Sequence, residues 1–225
     1  MIRHDRIVTP MFKCLLTSIA LAIVFVSPAA AHPHVLVDSA SEIVFDKSGQ
    51  ITAIRHHWRF DEAFSAFAVQ GLDEDNDGKY SRAELDPLAK VNVTSLSEYE
   101  FFTFMTVGDY EAGFSAPKDY WLDHEEGFLT LHFTLPLARP FKPDGEVVLE
   151  VYDPEYFVAF ELPSEEAVRM VGAPAGCKLR VQLARELDNA ASAALAEVGP
   201  EQRELPEELK ALTEGLDNSA AVLCG

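Results

Sequence analysis

Polar and apolar residues alternate on both sides of a short turn, and this alternation constrains the fold more than any other feature of the sequence. The run "HVLVDSASEIVFD" precedes the turn "KSGQ", and "ITAIRHHWRF" follows it. A period of two is typical of β-strands, and two such runs joined by a short polar turn predict a β-hairpin over residues 34 to 60. The alternation also assigns each side chain to one face of the hairpin.

The register of this hairpin follows from its turn. If Asp46 and Ile51 flank the turn, the numbers of opposite residues sum to about 97, which places Asp61 opposite Leu36. His56 then falls on the buried face, although a slip of one residue would exchange His56 and His57. The expected buried face is apolar and comprises Val35, Val37, Ile43, Phe45, Ile54, Trp58 and Phe60. The expected polar face comprises His34, Asp38, His57, Arg59 and Asp61.

The rest of the chain divides into three further parts. Residues 61 to 97 are acidic and have helical spacing, and strand patterns return from Phe101 to about Val181 in "FFTFMTV", "FLTLHFTL", "EVVLEVYD" and "EYFVAFEL". After residue 182, "LARELDNAASAALAEV" and "PEELKALTEGL" have helical spacing. We therefore predict an α+β protein: a β-sandwich-like core over residues 32–182 with an insert at 61–97, and a helical C-terminal segment at 183–225.

The N-terminus has the parts of a secretory signal peptide. A basic stretch, Met1 to Lys13, precedes an apolar run from Leu15 to Val26, and Ala29-Ala30-Ala31 matches a cleavage site. The apolar run is shorter than the roughly 20 residues of a membrane-spanning helix. We predict that residues 1–31 are removed on export, that His32 begins the mature protein, and that this protein is periplasmic without direct membrane insertion.

The charge balance and the motifs exclude other classes of function. The chain has 18 basic and 37 acidic side chains, a formal net charge of −19. Such a surface repels nucleic acid and attracts cations, so we expect no nucleic-acid partner. The sequence has no G-x-S-x-G and no H-E-x-x-H motif, and no cysteine is placed as a nucleophile. We predict that the protein is not an enzyme, and we assign no catalytic residue.

The cysteines predict one disulfide. Cys14 lies in the predicted signal peptide, which leaves Cys177 and Cys224 in the exported chain. Two cysteines in an oxidising compartment most simply pair with each other, and two unpaired thiols are the alternative. The bond would tie the C-terminal segment to the β-rich core.

The segment "DEDNDGKYSRAE", residues 73 to 84, has the spacing of an EF-hand calcium loop. Gly78 stands at the position that makes the sharp turn, whereas Tyr80 replaces the usual aliphatic residue. The expected ligands are Asp73, Asp75, Asp77, the backbone carbonyl of Lys79, Ser81 and Glu84. A single loop without a partner loop predicts a structural calcium site rather than a sensor. A solvated acidic turn is the alternative.

His32 and His34 stand on either side of Pro33 and offer ligands of another kind. Pro33 has no N–H, which excludes the square-planar amino-terminal site that needs an ionised amide. The α-amine and two imidazoles suit zinc, nickel or copper(II), but the fold must supply further ligands. We predict Asp61, which the hairpin places diagonally from His34, and His57 farther along the same face. Two histidines without a ligand role are the alternative.

Six segments, in this order, resemble the family called domain of unknown function 1007: "AHPHVLVD", "HHWRFDEAFSAF", "LDEDNDGKYSRAEL", "FTLPL", "VYDPEYFVAF" and "GAPAGC". Members of this family are described as periplasmic components of a transport system, are associated with membrane permeases of the nickel/cobalt type, and have been linked to zinc binding and uptake. The resemblance implies transition-metal handling by His32 and His34, an interest in Asp61 and Asp153, and a membrane metal permease as partner.

Three functions are compatible with these features. We expect a periplasmic accessory protein that delivers zinc or nickel to a membrane permease and carries a structural calcium ion. A copper protein with a histidine brace, either a chaperone or an oxidative enzyme, would use the amine and ring of His32 together with His124 or His132. A calcium-stabilised interaction module without transition-metal chemistry is the third possibility.

Overall fold

Two β-sheets and four α-helices make up the described part of the chain, which confirms the α+β prediction. The computed structural model describes residues 33–185, 187–198, 202, 204–213 and 218–225, so the predicted signal peptide and His32 lie outside the described residues. In chain order, the elements are β1 (Val35–Phe45), β2 (Ile51–Phe60), α1 (Glu62–Ala68), α2 (Arg82–Ser95), a 3₁₀ helix (Leu96–Phe102), β3 (Thr103–Val107), β4 (Tyr110–Glu111), β5 (Lys118–Glu125), β6 (Phe128–Phe141), β7 (Gly145–Val151), β8 (Val158–Glu161), a second 3₁₀ helix (Glu165–Ala167), β9 (Val168–Val171), β10 (Lys178–Gln182), α3 (Asn189–Ala196), α4 (Glu207–Thr213) and β11 (Asn218–Cys224). None of the described helices combines the length and the apolar character needed to cross a membrane.

The predicted hairpin is formed by β1 and β2, and its register is the predicted one from Val37 to Val44. Next to the turn the register shifts by one residue, so that Phe45 rather than Asp46 lies opposite Ile51. Val37 lies opposite Phe60, and the pairing continues to Ser41 and His56. The Leu36 amide donates a hydrogen bond of 2.9 Å to the carboxylate of Asp61. The seven apolar side chains that the alternation assigned to the inner face are all buried. The local pattern therefore determines both the pairing and the faces of these strands.

The hairpin lies within the first sheet, whose strand order is β5-β6-β2-β1-β8, with β9 also pairing with β1. The second sheet has the order β10-β11-β7-β3-β4. One half of the inner face of the first sheet packs against α1, α2 and the 3₁₀ helix Leu96–Phe102. The other half packs against the second sheet, where Ile43 and Ile54 share a core cluster with Leu149 and Val222. The outer face carries the polar side chains.

The C-terminal segment differs from the predicted helical segment. Its described helices, α3 and α4, are short, and the chain then enters β11, which lies between β10 and β7. Ala220 and Val222 of β11 are 2 % and 0 % exposed, as a strand in the interior of a sheet requires. The prediction of helix is wrong for residues 218–224, because a short strand rich in alanine has little β-propensity of its own and forms through its neighbours. The predicted disulfide between Cys177 and Cys224 is confirmed, and it fastens the end of this strand.

Asn218 connects the two sheets and gives a stability prediction. It is 4 % exposed; its amide donates to the Phe160 carbonyl of β8 at 2.8 Å, and its oxygen accepts from the Ala184 amide at 2.9 Å. Asn218→Ala leaves both backbone groups without these partners, so we expect the free energy of unfolding to fall by about 2 to 3 kcal/mol. Urea denaturation measures this loss. Ser219→Ala, at a less buried position of the same strand, should cost less than about 1 kcal/mol, and equal losses would contradict the role of Asn218.

Candidate metal centres

Two of the predicted N-terminal ligands, His34 and Asp61, lie at the open end of the hairpin. The His34 ring stacks on Phe157 with 4.3 Å between ring centroids. Asp61 is the N-cap of α1, and its carboxylate accepts a hydrogen bond of 2.9 Å from the Phe64 amide, in addition to the one from β1. The Asp61 carboxylate therefore positions the start of α1 against the hairpin.

His57 lies away from these two residues. It precedes Asp61 by four positions on an extended strand, which corresponds to roughly 13 Å. Among the described residues, no group of three potential metal ligands includes His34, Asp61 or His57. The described residues therefore give His57 no place in a three-ligand site with His34 and Asp61, and the structure places a different side chain next to His57.

That neighbour is His132 of β6, which pairs directly with His57 across the first sheet. The Nδ1 atoms of the two rings are 2.6 Å apart. The Nε2 atom of His132 lies 2.6 Å from Oδ2 of Asp123 on β5. We call these three residues, His57, His132 and Asp123, the histidine cluster. It lies on the outer face of the first sheet, where all three side chains are partly buried.

The electrostatics of the histidine cluster favour a neutral His57, and a carboxylate fixes the orientation of His132. Burial, followed by the proximity of His132, holds the pKa of His57 below its ordinary value, so this ring is neutral at pH 7. The short contact to Asp123 is a hydrogen bond that the Nε2–H of His132 donates, and Nδ1 of His132 faces Nδ1 of His57. A carboxylate on the distal nitrogen is the usual arrangement at metal-binding histidines.

A stack of aromatic and cationic groups joins the histidine cluster to the predicted calcium loop. The Trp121 ring lies parallel to His132, with 8° between planes and 4.6 Å between centroids. The guanidinium carbon of Arg82 lies 4.8 Å from the Trp121 centroid. Because Arg82 is the first residue of α2, the helix that leaves the loop, the loop and the histidine cluster are connected through adjacent side chains.

Glu42 is a buried carboxylate on the same outer face, with 7 % exposure. It is paired with Arg55 and Arg169. Burial raises the pKa of Glu42, but the hydrogen bond and charge of Arg169 and the charge of Arg55 outweigh it, so the pKa lies below its usual range. Glu42 is thus an ionised partner of two guanidinium groups. Because Glu42 is already paired in this way, further ligands for a metal ion at the histidine cluster would come from solvent or from another protein.

Two other histidines have different surroundings. His56 is fully buried, with Nδ1 3.0 Å from the Ser41 hydroxyl and Nε2 3.3 Å from the Thr103 hydroxyl. Burial lowers the pKa of His56 to about 3, so the ring is neutral, and the prediction that His56 lies on the buried face is confirmed. His124 contacts the edge of Tyr80, the residue that departs from the usual EF-hand pattern.

The predicted calcium loop lies between α1 and α2, and its acidic side chains converge. One carboxylate oxygen from each of Asp73, Asp75 and Glu84 lies within 4.8 Å of the others. Gly78 has φ of 79°, as the sharp turn requires, and its amide donates to the Asp73 carboxylate at 3.1 Å. Asp77 accepts from the Lys79 amide at 2.7 Å. These oxygen donors fit a hard cation such as calcium.

Glu84 joins this loop to α2. Its Oε2 accepts from the Ser81 amide at 2.7 Å, and its Oε1 accepts from the Glu74 amide at 2.8 Å. The Ser81 hydroxyl accepts in turn from the Glu84 amide, which completes a capping box at the start of α2. The hydrogen bonds from Ser81 and Glu74 hold the pKa of Glu84 below its usual range, so the carboxylate is ionised at neutral pH.

Comparison with known proteins agrees with the sequence resemblance. An uncharacterized protein of Haemophilus influenzae is 26 % identical over 150 residues, which cover 66 % of this chain and 71 % of that protein. The family described as protein of unknown function DUF1007 matches residues 17–224, a range that contains every strand and helix given above. The chain therefore belongs to the DUF1007 family.

Proposed function

We propose that this protein is a periplasmic accessory protein that binds zinc or nickel, works with a membrane metal permease, and is stabilised by one calcium ion. The observation that carries the proposal is the histidine cluster, in which two imidazole nitrogens converge and a carboxylate orients one of the rings. Imidazole nitrogens are borderline-soft ligands that suit both metals.

The geometry of the pair can accommodate a metal ion after a small movement. A tetrahedral zinc ion with Zn–N distances near 2.0 to 2.1 Å holds two nitrogens roughly 3.3 Å apart. The Nδ1 atoms, now 2.6 Å apart, would separate by about 0.7 Å, which small rotations of two side chains supply. Without a metal ion, a proton shared by the two Nδ1 atoms would lie between them, so metal binding would displace a proton.

Two protein ligands suit a carrier better than a permanent site. Structural zinc sites are usually closed by about four protein ligands, whereas positions left to solvent let a receiving protein bind the metal before the carrier releases it. The net charge of −19 raises the local concentration of cations around the carrier. The partly buried position of the cluster on an open sheet face gives a permease access to it.

The calcium loop supports this function by holding α2 in place. The residues that would hold the ion remain those of the EF-hand spacing: Asp73, Asp75, Asp77, the Lys79 carbonyl, Ser81 and Glu84. A calcium ion would neutralise the repulsion among the carboxylates that converge there. Arg82 then keeps its position over Trp121 and, through it, beside His132.

The N-terminal pair stays a separate prediction. His34 and Asp61 lie at the same end of the hairpin, at the start of β1 and the end of β2. A ligand set that uses His32 lies partly outside the described residues. Its contribution is separable by mutation from that of the histidine cluster.

Elemental analysis of untagged protein purified from its own periplasm tests the proposed function. We expect about one calcium and about one zinc or nickel per chain, because the two sites differ in ligand type. Calcium alone would contradict the proposal and favour the interaction module. Copper in place of zinc or nickel would favour the histidine brace. The protein must carry no N-terminal tag, because a tag would alter His32.

A further inference from the structure

A cavity of about 460 Å³ lies on the inner face of the first sheet, on the side opposite the histidine cluster. Its walls come from β1, β2, the 3₁₀ helix Leu96–Phe102 and the segment 153–160. Most of its lining is apolar, and its aromatic members are Trp58, Phe60, Phe64, Tyr99, Phe102, Phe157 and Phe160. Cavities of roughly 300 to 1,000 Å³ with apolar walls and a few polar groups are typical of small-molecule sites.

Trp58, which lines this cavity, has an unsatisfied hydrogen-bond donor. The residue is 2 % exposed, lines the cavity, and packs its ring against Phe133 and Phe160. Its indole N–H has no hydrogen-bond acceptor in the described part of the chain. A buried donor without an acceptor destabilises the folded state, and buried tryptophans usually find an acceptor. A ligand that carries an acceptor would remove this cost.

Two walls of the cavity contain strained backbone. Glu100, Phe101 and Phe102 are consecutive non-glycine residues with φ of 51°, 57° and 47°. Tyr156, directly before Phe157, has φ of 52°. The left-handed conformation is unfavourable for such residues, because the side chain crowds the backbone. Strain of this kind persists where the surroundings impose it, and it concentrates at ligand sites. In this protein the strained residues include or directly precede Phe102 and Phe157, which both line the cavity.

The charges around the cavity restrict the ligand. Its lining contains the carboxylates of Asp153, Glu155 and Glu204 and no lysine or arginine from the described residues. Lys210, outside the lining, pairs with Glu155 at 3.4 Å, so Asp153 and Glu204 supply the negative charge that this pair leaves unbalanced. The Asp153 carboxylate accepts from the amides of Phe157 and Val158 at 3.1 and 3.0 Å, so it shapes the wall. Negative charge at a weakly polar cavity repels anions strongly. A fatty acid or another organic anion is therefore a poor ligand.

We propose that this cavity binds a neutral, largely apolar small molecule whose hydrogen-bond acceptor engages the indole N–H of Trp58. The site is separate from both metal centres and requires neither metal as a ligand. It would give the protein a second binding activity, on the opposite face of the sheet from the histidine cluster.

Fluorescence titration with N-phenyl-1-naphthylamine, a neutral apolar probe, tests this proposal on the whole exported chain. We expect saturable binding of one probe per chain, and binding of the anionic probe 8-anilinonaphthalene-1-sulfonate that is weaker by about tenfold or more. Ser95→Trp places a large side chain at the exposed margin of the cavity and should weaken probe binding by about tenfold. Thr94→Trp, at the adjacent exposed position outside the lining, should change it by less than about twofold.

A second readout, which does not depend on Ser95→Trp, tests whether the probe binds next to Trp58. The chain has two tryptophans, so in Trp121→Phe the emission reports Trp58 alone. Bound probe should quench that emission by energy transfer, with the same midpoint as the probe titration. Non-saturable binding, equal affinity for the two probes, or equal effects of Ser95→Trp and Thr94→Trp would overturn the proposal. Unquenched Trp58 emission at probe saturation would overturn it as well.

Discussion

Glu84→Gln is expected to abolish calcium binding at the loop and to lower the melting temperature in calcium buffer to that of the calcium-free protein. The last residue of an EF-hand loop closes the coordination shell with two carboxylate oxygens, and an amide supplies one neutral oxygen. We therefore expect a loss of about 100-fold or more in calcium affinity. A ligand present at about 100 times its Kd stabilises the folded state by roughly 2.7 kcal/mol. The variant would lose this stabilisation by calcium.

The substitution is chosen to spare the start of α2. Glutamine keeps the size of Glu84 and one oxygen that can accept from the Ser81 amide, so part of the capping box survives. Asp86→Asn is the matched control, because it removes the same charge from an exposed position on α2 outside the loop. Calorimetric titration and thermal melting measure both variants. Equal melting of the parent protein with calcium and with chelator would contradict a structural role for calcium.

His57→Ala and His132→Ala are each expected to weaken zinc binding by about 100-fold, and the double variant should weaken it little further. Each single variant leaves one imidazole, which cannot chelate. Asp123→Asn should cost about 10- to 100-fold, because it loses the carboxylate that orients His132. Competition with a chromophoric chelator, on calcium-loaded protein at constant pH, measures these affinities.

The control for these variants is His124→Ala, which removes a partly buried histidine of β5 that contacts Tyr80 rather than the cluster. It should change zinc affinity by less than about threefold. His34→Ala separates the two proposed ligand sets. A large loss with His34→Ala, together with parent-like affinity in the His57→Ala, His132→Ala double variant, would assign the zinc site to the N-terminal histidines.

The local sequence pattern was sufficient to predict the hairpin and the convergence of the acidic side chains in the predicted calcium loop. The alternation from residue 34 to 60 contains its own turn, so it specifies the register, the buried face and the position of His56. The predicted calcium ligands lie within residues 73 to 84, and their spacing alone predicts the convergence of Asp73, Asp75 and Glu84. In both cases the interacting residues are close in sequence.

Non-local pairing explains what the sequence did not reveal. His57 and His132 are 75 residues apart, and nothing near either one specifies that β6 pairs with β2. The alternation in "FLTLHFTL" places His132 on a polar face, but it does not identify the neighbouring strands that contribute to the same face. The strand β11 was missed for the same reason, because Ala220 and Val222 are stabilised by β7 and β10 rather than by local propensity.

The central claim, that the histidine cluster binds a transition metal, is tested most directly by locating the metal. Crystals of the calcium-loaded protein grown with about one equivalent of zinc, measured at the zinc absorption edge, should give an anomalous peak between His57 and His132. The peak should lie about 2.0 to 2.1 Å from both Nδ1 atoms, with Asp123 still bonded to the distal nitrogen of His132. A zinc peak at the N-terminal histidines with none at the cluster would contradict the account.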